Sequence, residues 1–191
     1  MLALQSAAAI VSTAALAAFG AMLLNEPARP ALSPAPFQSQ SRPTPIPPTT
    51  CTITQPPSEP FVPPAPYPTK HPTGSFWLGS ERLWTMRNIE GLWYGLRTVD
   101  PDSGFTHEIY RDKVFWWRKG YDWRTENPPE LKVTGKRLDA PAPPLYADGA
   151  NAANIKIPSM VTGVDIPTVG CWEITGNYKG DKLTFVVWVV P

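Results

Sequence analysis

Two histidines, two cysteines and a run of tryptophans interleaved with arginines are the residues of this chain with chemistry to offer. His71 stands among prolines and His107 beside Glu108, so a Ser/His/Asp or Cys/His arrangement has only two candidate bases, with nothing assembled around either. A surface position next to a turn accounts for His107 better than general-base work does. The chain has no H-E-x-x-H, no C-x-x-C and no glycine-rich phosphate loop, which disfavours a zinc or nucleotide enzyme. The expectation is no catalytic residue, no metal and no cofactor. Asp100, Asp102 and Ser103 resemble a fragment of a calcium loop, but a turn rich in Asp, Pro and Gly explains them better. Glu108, Asp112 and Asp122 are the carboxylates through which an envelope glycan hydrolase would act, the alternative to a binding or structural module.

The most suggestive segment is Phe115-Trp116-Trp117-Arg118-Lys119-Gly120-Tyr121-Asp122-Trp123-Arg124. Neighbouring residues of a strand face opposite ways, so Trp116 and Trp117 cannot both point inward. One reading makes Trp116, Trp117, Arg118, Tyr121, Trp123 and Arg124 a platform on which a sugar or peptide stacks, with Arg118 or Arg124 supplying hydrogen bonds. The other, favoured, reading lays the proline-rich stretch Phe61 to Tyr67, or a long loop, over the outward ring, because exposed apolar patches are uncommon.

Positioning these residues falls to a chain of three parts. The chain has 191 residues, 25 of them Pro and 8 Trp, with a formal net charge of +1. Such a balance excludes a nucleic-acid binder that works by releasing counterions. Residues 1–24 carry no charged side chain. As a helix they would reach about 34 Å, enough to cross a bilayer, yet nine alanines and no preceding basic residue leave a cleavable export signal and a membrane anchor both open. Residues 25–74 hold 16 of the prolines and are expected to be a polyproline II or disordered linker, a stalk rather than an SH3-type ligand. Residues 75–191 hold every Trp and are the part able to bury a core.

Within that last part, short runs rich in Val, Ile, Thr and aromatics recur about every ten residues between turn signals. Strands are expected at Phe76–Leu78, Leu83–Arg87, Leu92–Thr98, Thr106–Tyr110, Lys113–Lys119, Glu130–Gly135, Asn154–Met160, Cys171–Tyr178 and Lys182–Val190. No helix is expected there. The pattern predicts an all-β fold, an immunoglobulin-like β-sandwich with Greek-key connections. The best-defined element is the final hairpin, with Trp172, Ile174, Gly176 and Tyr178 on one face and a second strand apolar on both faces. Eight basic and four acidic residues lie between Arg111 and Arg137, a bias that suits an anionic glycan or membrane surface and equally a solvated sheet face.

Two cysteines in an exported chain pair by default, so Cys51 is expected to bond Cys171 and to pin the stalk's last third onto the sheet, with Thr50 to Thr54 adding an edge strand. Lipid attachment at Cys51, or two free thiols in a cytosolic protein, are the competitors.

The segments C-T-I-T-Q-P-P, F-V-P-P-A-P-Y-P, F-W-L-G-S-E-R-L-W-T, F-W-W-R-K-G-Y-D-W-R, L-K-V-T-G-K-R-L-D-A-P-A-P-P-L and P-T-V-G-C-W-E-I-T-G-N-Y-K-G-D-K-L-T-F-V-V-W-V resemble a family of uncharacterised exported bacterial proteins, from about Cys51 to the C-terminus. The resemblance implies a leader, a low-complexity spacer and a small β-domain, and transfers no catalytic residue. The missing basic segment before the leader departs from that pattern. Together these readings point to an extracytoplasmic protein, membrane-anchored or secreted, with a binding or structural role at the cell envelope. Its expected partners are the membrane, through the N-terminal segment, and an envelope glycan or protein.

Overall fold

The computed structural model describes residues 45–99, 102, 104–153 and 157–190. The expected leader and residues 25–44 of the linker lie outside them. Among the described residues no helix is long and apolar enough to cross a membrane. The protein is all-β.

The strands are β1 (Ser75–Ser80), β2 (Leu83–Asn88), β3 (Leu92–Trp93), β4 (Leu96–Thr98), β5 (Ile109–Trp117), β6 (Leu131–Arg137), β7 (Tyr146–Ala147), β8 (Asn151–Ala153), β9 (Ser159–Ile166), β10 (Gly170–Tyr178) and β11 (Asp181–Val189). The larger sheet runs β1-β2-β5-β9-β7, with β4 also on β5 and β8 also on β9, and the smaller runs β3-β11-β10-β6. Every pair is antiparallel except β11 with β3.

The two sheets pack face to face in a sandwich-like arrangement around Trp116, Met160 and Val164 from one and Trp172, Ile174, Tyr178 and Phe185 from the other. The expected inward face of the last hairpin is the observed one. Gly176 sits in that face because the Trp116 ring fills the space a side chain would take, 2.4 Å from where its Cβ would stand. Each large side chain fully buried this way contributes about 1.5–3 kcal/mol.

Four expected strands differ from those observed. Leu92–Thr98 divides into β3 and β4 because Gly95, at φ 26°, turns the chain against the Tyr110 backbone, where a Cβ would meet the carbonyl carbon at 2.8 Å. Thr106–Tyr110 and Lys113–Lys119 are mostly one strand, β5, whose Arg111 is accommodated by Asp148 and Asp165. The strand expected over Asn154–Met160 runs instead as β9; residues 154–156 lie outside the described part. Gly163 and Asp165 interrupt the apolar pattern of V-T-G-V-D-I, yet Gly163 leaves room for the Asp148 side chain and Asp165 pairs with Arg111.

Over its described part, residues 45–74, the proline-rich segment is a strap laid against the sheets. Its side chains explain why: Cys51, Pro63 and Tyr67 are buried. Cys51 is bonded to Cys171, with Cα atoms 5.5 Å apart. In the chain-entropy description, closing a loop of 120 residues is worth about 4–5 kcal/mol. Next to it, the Thr54 N–H donates to the Val186 carbonyl at 3.0 Å and the Val186 N–H donates to Thr54 Oγ1 at 2.8 Å, so the strap borders β11 as an edge. Further on, Phe61 and Tyr67 cover Trp84 on the outer face of the larger sheet, their ring centroids 5.6 and 4.9 Å from it. The Tyr67 hydroxyl donates to the Arg118 carbonyl at 2.8 Å. Trp117 meets Trp77 edge to face at 5.3 Å, and Trp77 donates through Nε1 to the Thr69 carbonyl at 3.1 Å.

Candidate functional site

The larger sheet has an opening. β2 and β5 pair only at Trp84↔Trp117 and Thr85↔Trp116, and β5 next finds a neighbour on that side at Arg111, where β4 begins. Between these points, residues 112–115 of β5 face a gap. Backbone groups at such a gap still need partners. Side chains supply them: Thr85 Oγ1 donates to the Phe115 carbonyl at 2.8 Å, and the Lys113 N–H donates to Asp112 Oδ1 at 2.7 Å. Across the gap the Asn88 amide clamps β3, donating through Nδ2 to the Leu92 carbonyl at 2.8 Å and accepting the Leu92 N–H at 3.1 Å.

The gap opens into a pocket of about 240 Å³ whose walls include Arg87, Tyr94, Asp112, Lys113, Phe115 and Trp117. Tyr94 and Phe115 are 55% and 42% exposed, which makes them a rim and not a core. Phe115 and Trp117 stack along the strand, centroids 6.2 Å apart and planes 24° from parallel. The Arg87 guanidinium lies 4.3 Å from the Phe185 centroid and 5.8 Å from that of Trp93. Burial pulls its pKa down to about 10, while Asp112 pushes it back up, so it stays charged at neutral pH.

The residues singled out as a platform are not brought together. Trp116 is fully buried, its Nε1 donating to Thr162 Oγ1 at 3.3 Å, and Tyr121 is 5% exposed, its hydroxyl donating to the Glu126 carbonyl at 3.2 Å. A ring enclosed on both faces offers nothing to a ligand, so neither belongs to a surface platform. Arg118 lies over the Tyr178 ring at 5.3 Å and pairs with Asp181 at 3.6 Å. Arg124 is exposed and stacks on Trp123 at 4.8 Å. Of the six, Trp117 alone lines the pocket.

Other candidate groups are spread over the surface. Glu108 pairs with Arg97 at 2.6 Å, with both side chains more than half exposed. Asp122 caps its turn through the Arg124 N–H at 3.0 Å, and Asp112 lines the pocket. The exposed His107 has Nε2 3.2 Å from the Pro167 carbonyl, and His71 lines an apolar pocket of about 260 Å³ between the strap and β1. Beneath Tyr121, Glu126 accepts the Tyr178 hydroxyl at 2.6 Å, the Glu130 N–H at 3.0 Å and the Lys179 ammonium. Burial alone would raise the Glu126 carboxyl, but the bonds from Lys179, Tyr178 and the Glu130 amide outweigh it and hold the pKa below the ordinary carboxylate range.

No family model, curated protein or solved structure matches the chain.

Arg87 is the residue that sequence reasoning missed. A signal was present: in the expected strand Leu83–Arg87 it shares the parity of Leu83 and Thr85, both buried, so a cation occupies a position that should carry an apolar side chain. The gap itself depends on where two strands part, which no local pattern encodes.

Proposed function

We propose that this chain is an exported, membrane-tethered module of the cell envelope, a member of the bacterial family its motifs resemble, whose work is to bind a ligand and not to transform one. Its N-terminal segment serves as leader or anchor, residues 25–44 continue as tether, and the sandwich is of the immunoglobulin-like kind. The Cys51–Cys171 bond carries this reading, since structural disulfides form and persist in oxidising compartments. The aromatic-rimmed pocket at the β2/β5 gap supports binding, because a small number of polar groups among apolar walls is what ligand sites use for orientation.

Fractionation followed by non-reducing peptide mapping tests the reading. The linked Cys51/Cys171 peptide pair is expected in the membrane or exported fraction. Recovery from the cytosol with both thiols alkylated in the absence of reductant would overturn it.

A further inference from the structure

Arg87 stands where the alternation of β2 calls for a core residue. Removing a cation from water costs several kcal/mol unless a partner compensates. Among the described residues the Arg87 side chain makes no hydrogen bond and no ion pair. The faces of Phe185 and Trp93 repay part of the cost, and Asp112 acts on it from beyond ion-pair distance. A guanidinium stacked on rings keeps its planar fork of N–H donors for something else, and the pocket is what it opens onto.

The other walls narrow that something. At about 240 Å³ the pocket is smaller than the roughly 300–1,000 Å³ that drug-sized ligands occupy, so it holds one ring with its substituents. Phe115 and Trp117 form a stacked ledge against which the apolar C–H face of a sugar packs. Asp112 uses Oδ1 on the Lys113 N–H, which leaves Oδ2 for a hydroxyl. The same Asp112 charge opposes a dianionic phosphate more strongly than a single carboxylate. We infer that the Arg87 pocket binds an acidic sugar of the uronic-acid type, its carboxylate on the Arg87 guanidinium, its ring against Phe115 and Trp117, and a hydroxyl on Asp112. This rests on the reading of the chain as an extracytoplasmic binding module.

The test is isothermal titration of the disulfide-bonded full chain with a uronic-acid disaccharide, its carboxyl-reduced neutral counterpart and a sulfated disaccharide. The uronate is expected to bind at least tenfold more tightly than the neutral sugar and more tightly than the sulfated one. Arg87→Lys, which keeps the charge and loses the fork, is expected to weaken the uronate at least tenfold and leave the neutral sugar unchanged. Phe115→Ala, at an exposed position, is expected to weaken both several-fold with an unaltered near-ultraviolet circular dichroism spectrum. Equal affinity for acidic and neutral sugars, preference for the sulfated one, or full uronate affinity in Arg87→Lys overturns the inference. Should Arg87→Lys lose its native spectrum, unchanged uronate affinity in Phe115→Ala overturns it instead. A chain that captures a different envelope glycan, insensitive to both substitutions, sinks the acidic-sugar assignment and leaves the binding module standing. Binding to no envelope component, together with free thiols, sinks the module itself.

Discussion

Arg87 and Arg111 belong to one sheet and are held in opposite ways. Arg111 reaches Asp148 at 2.6 Å and the fully buried Asp165 at 3.2 Å, so its charge ties β5 to β9 and to the turn after β7. Arg87 rests on two aromatic rings beside an open pocket. A cation clamped by carboxylates has its donors committed and acts as a strut. A cation carried by rings retains them, and the ring faces offset only part of the cost of its burial. Within the same layer of strands, the contrast separates a cation that holds strands together from one whose donors face a pocket.

The sharpest way to break that contrast is to remove the strut. Arg111→Met takes the cation away from a carboxylate with no access to water, and urea unfolding at pH 7 is expected to show a loss of about 3–5 kcal/mol, partly regained when Asp165→Asn is added. A loss below about 1 kcal/mol would put Arg111 in the same class as Arg87. Next in size is Glu126→Gln, which removes charge-assisted bonds from Tyr178 and Lys179 and is expected to cost about 1.5–3 kcal/mol.

The same carboxylate sharpens the comparison through pH. Glu126 and Asp139 both have folded pKa values below the ordinary range, Asp139 chiefly through its hydrogen bond from Arg137 and further through the Cys171 N–H. The stability they contribute is therefore present above the unfolded carboxyl value of about 4 and is lost as pH falls through their lower folded values. Urea midpoints measured from pH 5 down to pH 3 should fall, and fall less steeply in Glu126→Gln; parallel curves would remove Glu126 from the account. Smallest is Arg87→Met, expected to change stability by less than about 1 kcal/mol in either direction, since the new side chain still packs on Phe185 while the desolvated charge is gone. A loss as large as that of Arg111→Met would make Arg87 a second strut.

How far the sequence carried is clearest at the two ends of the sheet pair. The last hairpin was legible because alternation alone sets which of Trp172, Ile174 and Tyr178 turn inward, and the cysteine pairing followed from an even count in a chain expected to be exported. The cover expected over the outward Trp117 is found one strand away: Phe61 and Tyr67 lie on Trp84, while Trp117 meets Trp77 and lines the pocket. What escaped are features made by divergence and by charge. β9 was displaced because Asp165 reads as a turn residue until Arg111 is seen beside it, and the ring that Phe61 and Tyr67 cover was misplaced because strand spacing alone does not say that Trp84 lies under them. The pocket escaped because it exists where β2 and β5 stop touching, and an absent pairing leaves no period in the residues.

The staple at Cys51 also decides where mechanical load enters. Tension carried by the chain ahead of Cys51 passes through sulfur to Cys171 on β10, a strand flanked on both sides by β6 and β11. Residues 52–74 are thereby relieved of the pull, and β1, the border strand to which they lead, is spared being peeled away. To extract the module by its leading end, a force would have to shear the two ladders of β10 along their length together, instead of unzipping a margin one rung at a time.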